Sequence, residues 1–264
     1  MSRTGTERAR IERERAFFER MAAEGGELAW AERTAVAQPR REMRSLALLD
    51  AAALGDGQGR RALEIGCGGG AYTEPFARRT QAAVTGIDLT PVLLRQARST
   101  VPSNVHLAAA DAAALPFASD TFDAVVGNAV LHHLPVIPTA HEILRVLRPG
   151  GRFCFAEPNL VNPHMALVLK VPWLRRMADG TPDETAFVRW RLRRVLMQAG
   201  LVQVTIRPFD FLYPLTPRPL IGLVTAVGTI LERLPLVREI AGSLLIVGRK
   251  PDRTPELPSA RSVP

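Results

Sequence analysis

The 264-residue sequence predicts an α/β fold built on a doubly wound, mostly parallel sheet. Three observations predict it. Short apolar segments alternate with stretches of helical periodicity, the pattern of consecutive strand–helix–strand units. A glycine-rich turn, GCGGG at 66–70, joins the first apolar segment to the first helical one. Acidic or amide residues then stand at or just past the ends of successive apolar segments, the end at which open α/β sheets bind ligands.

Taken in order, residues 1–55 are expected to form an N-terminal helical cap. Its first part, TERARIERERAFFER, interleaves arginine with glutamate and gathers Ile11, Phe18, Met21 and Ala22 on an apolar face. Arg60–Ile65 reads as the first strand, with Glu64 near its end, and Tyr72–Arg79 as the helix beyond the glycine turn. A strand, glycine turn and helix present free backbone N–H groups to a nucleotide or another polar cofactor. Gly66, Gly68 and Ala71 loosely satisfy the dinucleotide pattern Gly-x-Gly-x-x-Gly/Ala. Two details point elsewhere: Glu64 stands two positions before the first glycine, and Gly70 completes Glu-x-Gly-x-Gly-x-Gly. A carboxylate there repels a diphosphate and attracts a ligand with an ammonium and a sulfonium, such as S-adenosylmethionine (SAM).

Ala82–Ile87 is the second predicted strand, and it ends in Asp88, 24 positions beyond Glu64. An acid there is placed to accept hydrogen bonds from two ribose hydroxyls. It is also placed to cap the helix that opens at Thr90-Pro91. Asn104–Ala109 makes a third strand with Asp111 just past its end, and Phe122–Gly127 a fourth that leads into Asn128. Phe153–Ala156 follows the turn Pro149-Gly150-Gly151, and Val202–Ile206 and Ser243–Val247 complete seven strands, with a covering helix at Thr185–Ala199.

Four stretches in this order, LEIGCGGG, GIDLT, AADAAALPFASDTFDAVVGNAVLHHL and LRVLRPGGRFCFAEP, resemble the successive motifs of class I SAM-dependent methyltransferases. The similarity is to the small-molecule branch that includes the quinone-biosynthesis enzymes. The resemblance implies a Rossmann-like, mostly parallel seven-stranded sheet with N-terminal helices and a C-terminal helical insertion as lid. It implies a cofactor core at 56–158 and the rest of the sheet with substrate-covering insertions at 159–250; the tail at 251–264, polar and rich in proline, reads as disordered from its composition. The resemblance also assigns roles. The backbone of Gly66, Gly68 and Gly70 would pass the methionine part of SAM, with Glu64 organising the loop or the amino group. Asp88 would hold the ribose, and Leu89 would cover one adenine face. Asp111 and the Ala112 N–H would meet the adenine edge, and Asn128 the methionine amino group.

The transfer itself asks for an acceptor held in line with water excluded, and for a base only if the acceptor arrives protonated. His132 is the first candidate for that base, with His133, Glu157, Asp210 and Tyr213 behind it. A histidine in LHHL also reads as a capping or packing residue. An insertion at 208–240 is apolar on most sides; it reads as a lid over a lipophilic or aromatic acceptor, as a peripheral membrane contact through 212–237, or as plain packing. A second insert, Asn159–Pro182, carries Trp173 and is placed to close the same pocket.

The remaining composition narrows the classes. The chain is 47% hydrophobic, enough for a well-buried core, and its formal charge of +8 rests almost entirely on arginine. The RWRLRR run at 189–194 reads as a solvated helix face whose long side chains lie along apolar surface. Two cysteines and five histidines describe neither a disulfide framework nor a metal site. The charged N-terminus does not read as a secretory signal, and the longest apolar run is too short to span a bilayer, so a cytoplasmic protein is expected. The Asn-Pro-Pro-aromatic signature of base-nitrogen methylation is replaced by GNAVLHHL, which disfavours nucleic acid. The sequence therefore predicts an enzyme that methylates O or C, less readily N, of a small lipophilic or aromatic metabolite. The alternatives are an RNA or protein methyltransferase, a SAM-binding scaffold without transfer activity and, below these, a nicotinamide oxidoreductase.

Overall fold

The computed structural model describes residues 5–23, 34–177 and 185–252. The side chain of Ile11, residues 178–184 of the second insert, and the tail from 253 onward lie outside the described residues.

Two helices come first, α1 (Gly5–Ala23) and α2 (Ala37–Ala52). Then β1 (Arg61–Ile65), α3 (Thr73–Ala77), β2 (Ala83–Asp88), α4 (Pro91–Thr100), β3 (Val105–Ala109), β4 (Phe122–Asn128) and α5 (Val136–Val146) alternate. After β5 (Leu147–Pro158) an insert carries α6 (Pro163–Lys170) and α7 (Pro172–Met177). Next come α8 (Arg189–Gln198), β6 (Val202–Phe209), α9 (Ile221–Leu231) and β7 (Ser243–Arg249).

The seven strands form one sheet in the order β3-β2-β1-β4-β5-β7-β6. Strands β1 to β5 pair in parallel, and β7 inserts antiparallel between β5 and β6. The strand order reverses at β1, whose neighbours are β2 and β4, so the crevice expected to bind ligand opens at the carboxyl ends of these strands.

Alternation along each strand feeds two cores. Leu63 and Ile65 of β1 face one side with Ile143, Leu192 and Leu196, under α5 and α8. Ala62, Val84 and Val126 face the other side with Leu48 and Phe76, under α2 and α3. Each fully buried side chain of this size contributes about 1.5–3 kcal/mol relative to exposure.

Several predicted boundaries move: the helix after the glycine turn shortens to Thr73–Ala77, and β6 and β7 run on to Phe209 and Arg249. β5 runs well beyond Phe153–Ala156, because Leu147 pairs with Phe122 of β4 at one end and Pro158 with Ser243 of β7 at the other. The covering helix starts at Arg189 instead of Thr185, because Phe187 is tied in an extended bridge to Asn159. In α1, Ala22 is buried and Phe18 half-buried as the apolar face predicts, but Glu14 is also buried, a residue the charge pattern assigns to solvent.

Candidate functional site

The glycine turn is bound to the next strand through its backbone. The N–H groups of Gly66 and Cys67 both donate to the carbonyl of Ile87, at 2.8 and 3.0 Å. Gly66 has φ +69°, and a Cβ there would stand 2.3 Å from Cγ2 of Val130, so the turn after β4 occupies the place of a side chain. Gly68, at φ +50°, has nothing within 4 Å of where its Cβ would be, so the loop faces open space at that point. Gly70, at φ +85°, packs against the end of α4, where a Cβ would stand 2.7 Å from Cγ1 of Val101 and 3.4 Å from Ala97. Cys67 is buried, and burial pushes its thiol well above the usual range, so it is no nucleophile.

Glu64 is 4% exposed, and its Oε2 has no hydrogen-bond partner among the described residues. Burial raises its pKa from 4.5 to about 7, with Thr73 beside it pulling down and the charge of Asp88 adding to the rise. A carboxyl whose folded pKa lies above its unfolded value keeps its proton in the folded state, so stability falls as pH rises from 4.5 towards 7. The difference is on the order of 3 kcal/mol. Urea midpoints of wild type and Glu64→Gln should therefore diverge over that window in favour of the variant and run parallel above pH 7.

Asp88 links two elements. Its Oδ2 accepts from the Gly68 N–H at 3.0 Å and its Oδ1 from the Thr90 N–H at 2.8 Å. It thus fastens the loop to the entry of α4, with lone pairs remaining on both oxygens. Burial raises its pKa. Leu89 follows, half-buried. At the end of β3, Asp111 accepts from the Ala113 N–H at 2.8 Å, and Ala112 is buried beside it. Asn128 closes β4, 8% exposed, with its Oδ1 3.4 Å from Nη1 of Arg44. The register pairs Ile65 with both Ile87 and Gly127, and Asp88 with Ala109, so all these residues stand at one edge of the sheet.

Beyond Asn128 the chain turns through Ala129, at φ +50°, into a 3₁₀ turn, Leu131–His133. Glu157, at the end of β5 and fully buried, organises this turn. Its carboxylate accepts from the N–H groups of Val130 at 3.0 Å and Leu131 at 2.8 Å, and it meets Nδ1 of His132 at 2.7 Å. A carboxylate only accepts, so Nδ1 carries the hydrogen. The ring of His133 lies 4.0 Å from that of His132, and its Nδ1 faces Oε2 of Glu14 at 3.1 Å. Phe18 stands edge-on to the same ring. These contacts seat α1 against the turn.

The second helix is held by an ion cluster that sequence reading missed. Asp210 follows β6 at φ +73°, and its Oδ2 accepts from Nη2 of Arg40 at 2.9 Å and Nη2 of Arg44 at 2.8 Å, while Arg44 also donates to the Ser243 hydroxyl. Burial alone would raise the pKa of Asp210, but Arg44 and Arg40 outweigh it and hold the carboxyl below its usual value. This excludes Asp210 as a base; it is the anchor of α2. Tyr213, another candidate base, is 40% exposed in the insert, its ring against His164. The available signal for Arg40 and Arg44 was their spacing of four in a helix whose other positions are largely apolar.

A family model described as a methyltransferase domain matches residues 63–155, which span β1 to β5 and every residue of the crevice described above up to Asn128. The sequence is 33% identical over 177 residues to a ubiquinone biosynthesis O-methyltransferase of Alkalilimnicola ehrlichii, covering 62% of this chain and 71% of that relative. It is 37% identical over 103 residues to a phthiotriol/phenolphthiotriol dimycocerosates methyltransferase of Mycobacterium leprae, 38% of each chain. Among solved structures, a putative methyltransferase of Haloferax volcanii, in complex with the Trm112 methyltransferase activator, superposes with a TM-score of 0.63 at 20% identity. That match covers 89% of this chain and 97% of the other.

Proposed function

This chain belongs to the class I SAM-dependent methyltransferases of small molecules, and from that premise we propose that its acceptor is a hydroxyl, less readily a carbon, of a lipophilic or aromatic metabolite. The observation that carries the hydroxyl reading is the buried His132–Glu157 pair beside the carboxyl ends of β4 and β5. A hydroxyl is a poor nucleophile until its proton is taken, and an imidazole oriented by a carboxylate is suited to taking it. The relatives' names add an O-methyltransferase and a dimycocerosates methyltransferase.

SAM, when bound, supplies an electrophilic methyl group on a sulfonium. The donors and acceptors of the crevice fit it. The unpartnered Oε2 of Glu64 answers the methionine ammonium, and the open side of Gly68 admits the methionine chain. Arg40 and Arg44, two guanidiniums gathered at Asp210 with Arg44 beside Asn128, are suited to the methionine carboxylate. We assign to Asp88 the ribose hydroxyls and to Leu89 one adenine face. Asp111 and the Ala112 N–H take the adenine edge, Asn128 the amino group, and the backbone of Gly66 and Gly70 the turn around it. Nε2 of His132 takes the acceptor proton, and Glu157 stabilises the resulting imidazolium. α1 and α2, fixed by Glu14–His133 and by Asp210, exclude water.

Two results test the cofactor assignments. Asp88→Ala should weaken SAM binding by about 1–3 kcal/mol in calorimetric titration, the effect of removing a charge-assisted acceptor; unchanged affinity would take Asp88 out of the ribose role. An ammonium beside Glu64 favours its ionised form, so SAM should bind with release of a proton and with affinity rising up to about pH 7. Titrations in buffers of different ionisation enthalpy measure that proton. The acceptor reading is tested by labelled-methyl transfer to matched panels of phenols, aliphatic alcohols and amines. Turnover confined to amines would overturn it.

A further inference from the structure

The described part of the second insert, 159–177, and the stretch 211–231 of the first expose an apolar surface that carries basic residues, with Asp179, Asp183, Glu184 and Glu232 following these stretches in sequence. On α9, Leu223, Val227 and Ile230 recur at intervals of four and three, which puts them on one helix face, with Leu220 just before the helix and Leu234 just after it. All five are exposed, Leu223 at 63% and Ile230 at 60%, whereas the buried position of α9 is Gly228, packed on Phe211. The other insert adds Leu167 and Trp173, at 52% and 56%. The two inserts meet: the rings of His164 and Tyr213 are 4.9 Å apart, and the Asn162 side-chain amide donates to the Ile240 carbonyl at 2.7 Å. Neither 159–177 nor 211–231 contains Asp or Glu, while Lys170, Arg175, Arg176 and Arg218 lie within them and Arg233 just beyond. Glu232 and Glu239, which follow, are engaged by Arg207 and by Arg189.

We propose that this surface docks on an anionic phospholipid bilayer and lies in its interface, with the α9 stripe and Trp173 in the headgroup–acyl boundary and the arginines on lipid phosphates. No helix among the described residues is long and apolar enough to cross a membrane, which leaves the in-plane mode for a helix of this length. The exposed tryptophan and the neighbouring Lys170, Arg176, Arg218 and Arg233 are the features that in-plane binding to anionic lipid uses. A second copy of this chain is the competing occupant for a stripe with this spacing. Pairing along it would set Arg218 and Arg233 against other arginines, where paired helices place opposite charges. The inserts leave from the ends of β5 and β6, the edge of the sheet that carries Glu157 and Asp210. Docking would therefore set the cofactor crevice beside the lipid. This rests on the reading of a lipophilic acceptor only for its purpose; the docking has its own readout.

The test is sedimentation of the full chain with phosphatidylglycerol–phosphatidylcholine vesicles and with phosphatidylcholine alone, without substrate. The chain should pellet with the anionic vesicles and partition at least about tenfold less onto the neutral ones, since each basic residue near the surface contributes about 1 kcal/mol. Raised salt should weaken the binding. L223E/I230E should lower anionic partitioning by at least about tenfold through lost apolar burial, and R218E/R233E should do so through charge. SAM titration of both variants should match wild type, which reports their folding. Equal pelleting on both vesicle types, or wild-type partitioning of both variants, overturns the proposal. So does a dimer in sedimentation velocity that L223E/I230E dissolves while vesicle binding is absent. Vesicle binding together with turnover of water-soluble acceptors alone would remove the lipophilic acceptor and leave the docking standing.

Discussion

Asp210→Asn is expected to destabilise the protein by about 3–5 kcal/mol, the cost of leaving buried charge without its partner. The substitution isolates charge from shape. Asparagine tolerates φ +73° nearly as well as aspartate, so the backbone after β6 keeps its conformation. What is lost is the carboxylate that Arg40 and Arg44 share, and their side chains are only 12% and 9% exposed. The sign with pH follows from the depressed pKa. An acid with a lower pKa in the folded state contributes stability that is present above its unfolded pKa and lost as pH falls through its folded one. Denaturant midpoints of wild type and Asp210→Asn should therefore differ most at neutral pH and converge in acid. Because the same cluster fixes α2, and Arg44 reaches Asn128, the variant should also bind SAM more weakly at temperatures where it remains folded. Wild-type stability would mean that water, and not Asp210, compensates the two guanidiniums.

That cluster also marks how far the sequence could be read. The sheet was legible because each of its parts is a local signal. Leu63 and Ile65 alternate with Ala62 and Glu64, glycines stand where φ turns positive, and acids follow the strand ends. The positions of Asp88, Asp111 and Asn128 at the strand ends were legible for the same reason, since each closes its own strand or follows it by two residues. The partners were not. Asp210 meets Arg44 across 166 positions, and Glu157 meets His132 across 25, distances at which composition and periodicity carry no information. Glu157 and Asp210 were visible only as acids near strand ends, and both appeared as bases. The structure separates them by what they face: two guanidiniums in one case, an imidazole and two backbone N–H groups in the other. Glu14 was read as part of a solvated face because its neighbours are charged, and it is buried because His133 lies opposite. The length of β5 was hidden because its polar end, RPGGR, pairs through the backbone and carries no strand pattern.

His132→Ala is expected to lower kcat by about 10²–10⁴-fold with SAM affinity unchanged, the range for removing a general base. The pair it forms with Glu157 makes a sharper test than the single variant. In Glu157→Gln the amide oxygen can still accept from the Val130 and Leu131 N–H groups, so the 3₁₀ turn keeps two of its bonds. It cannot supply the negative charge that stabilises an imidazolium, so turnover should fall with SAM affinity unchanged. A histidine that merely caps the turn would leave turnover at the wild-type rate in both variants and would show its loss as a lower melting temperature alone. If His132→Ala turns over at the wild-type rate, proton removal is not part of the rate-limiting path. The acceptor would then be one that reacts without a base, and the carbon reading would replace the hydroxyl one.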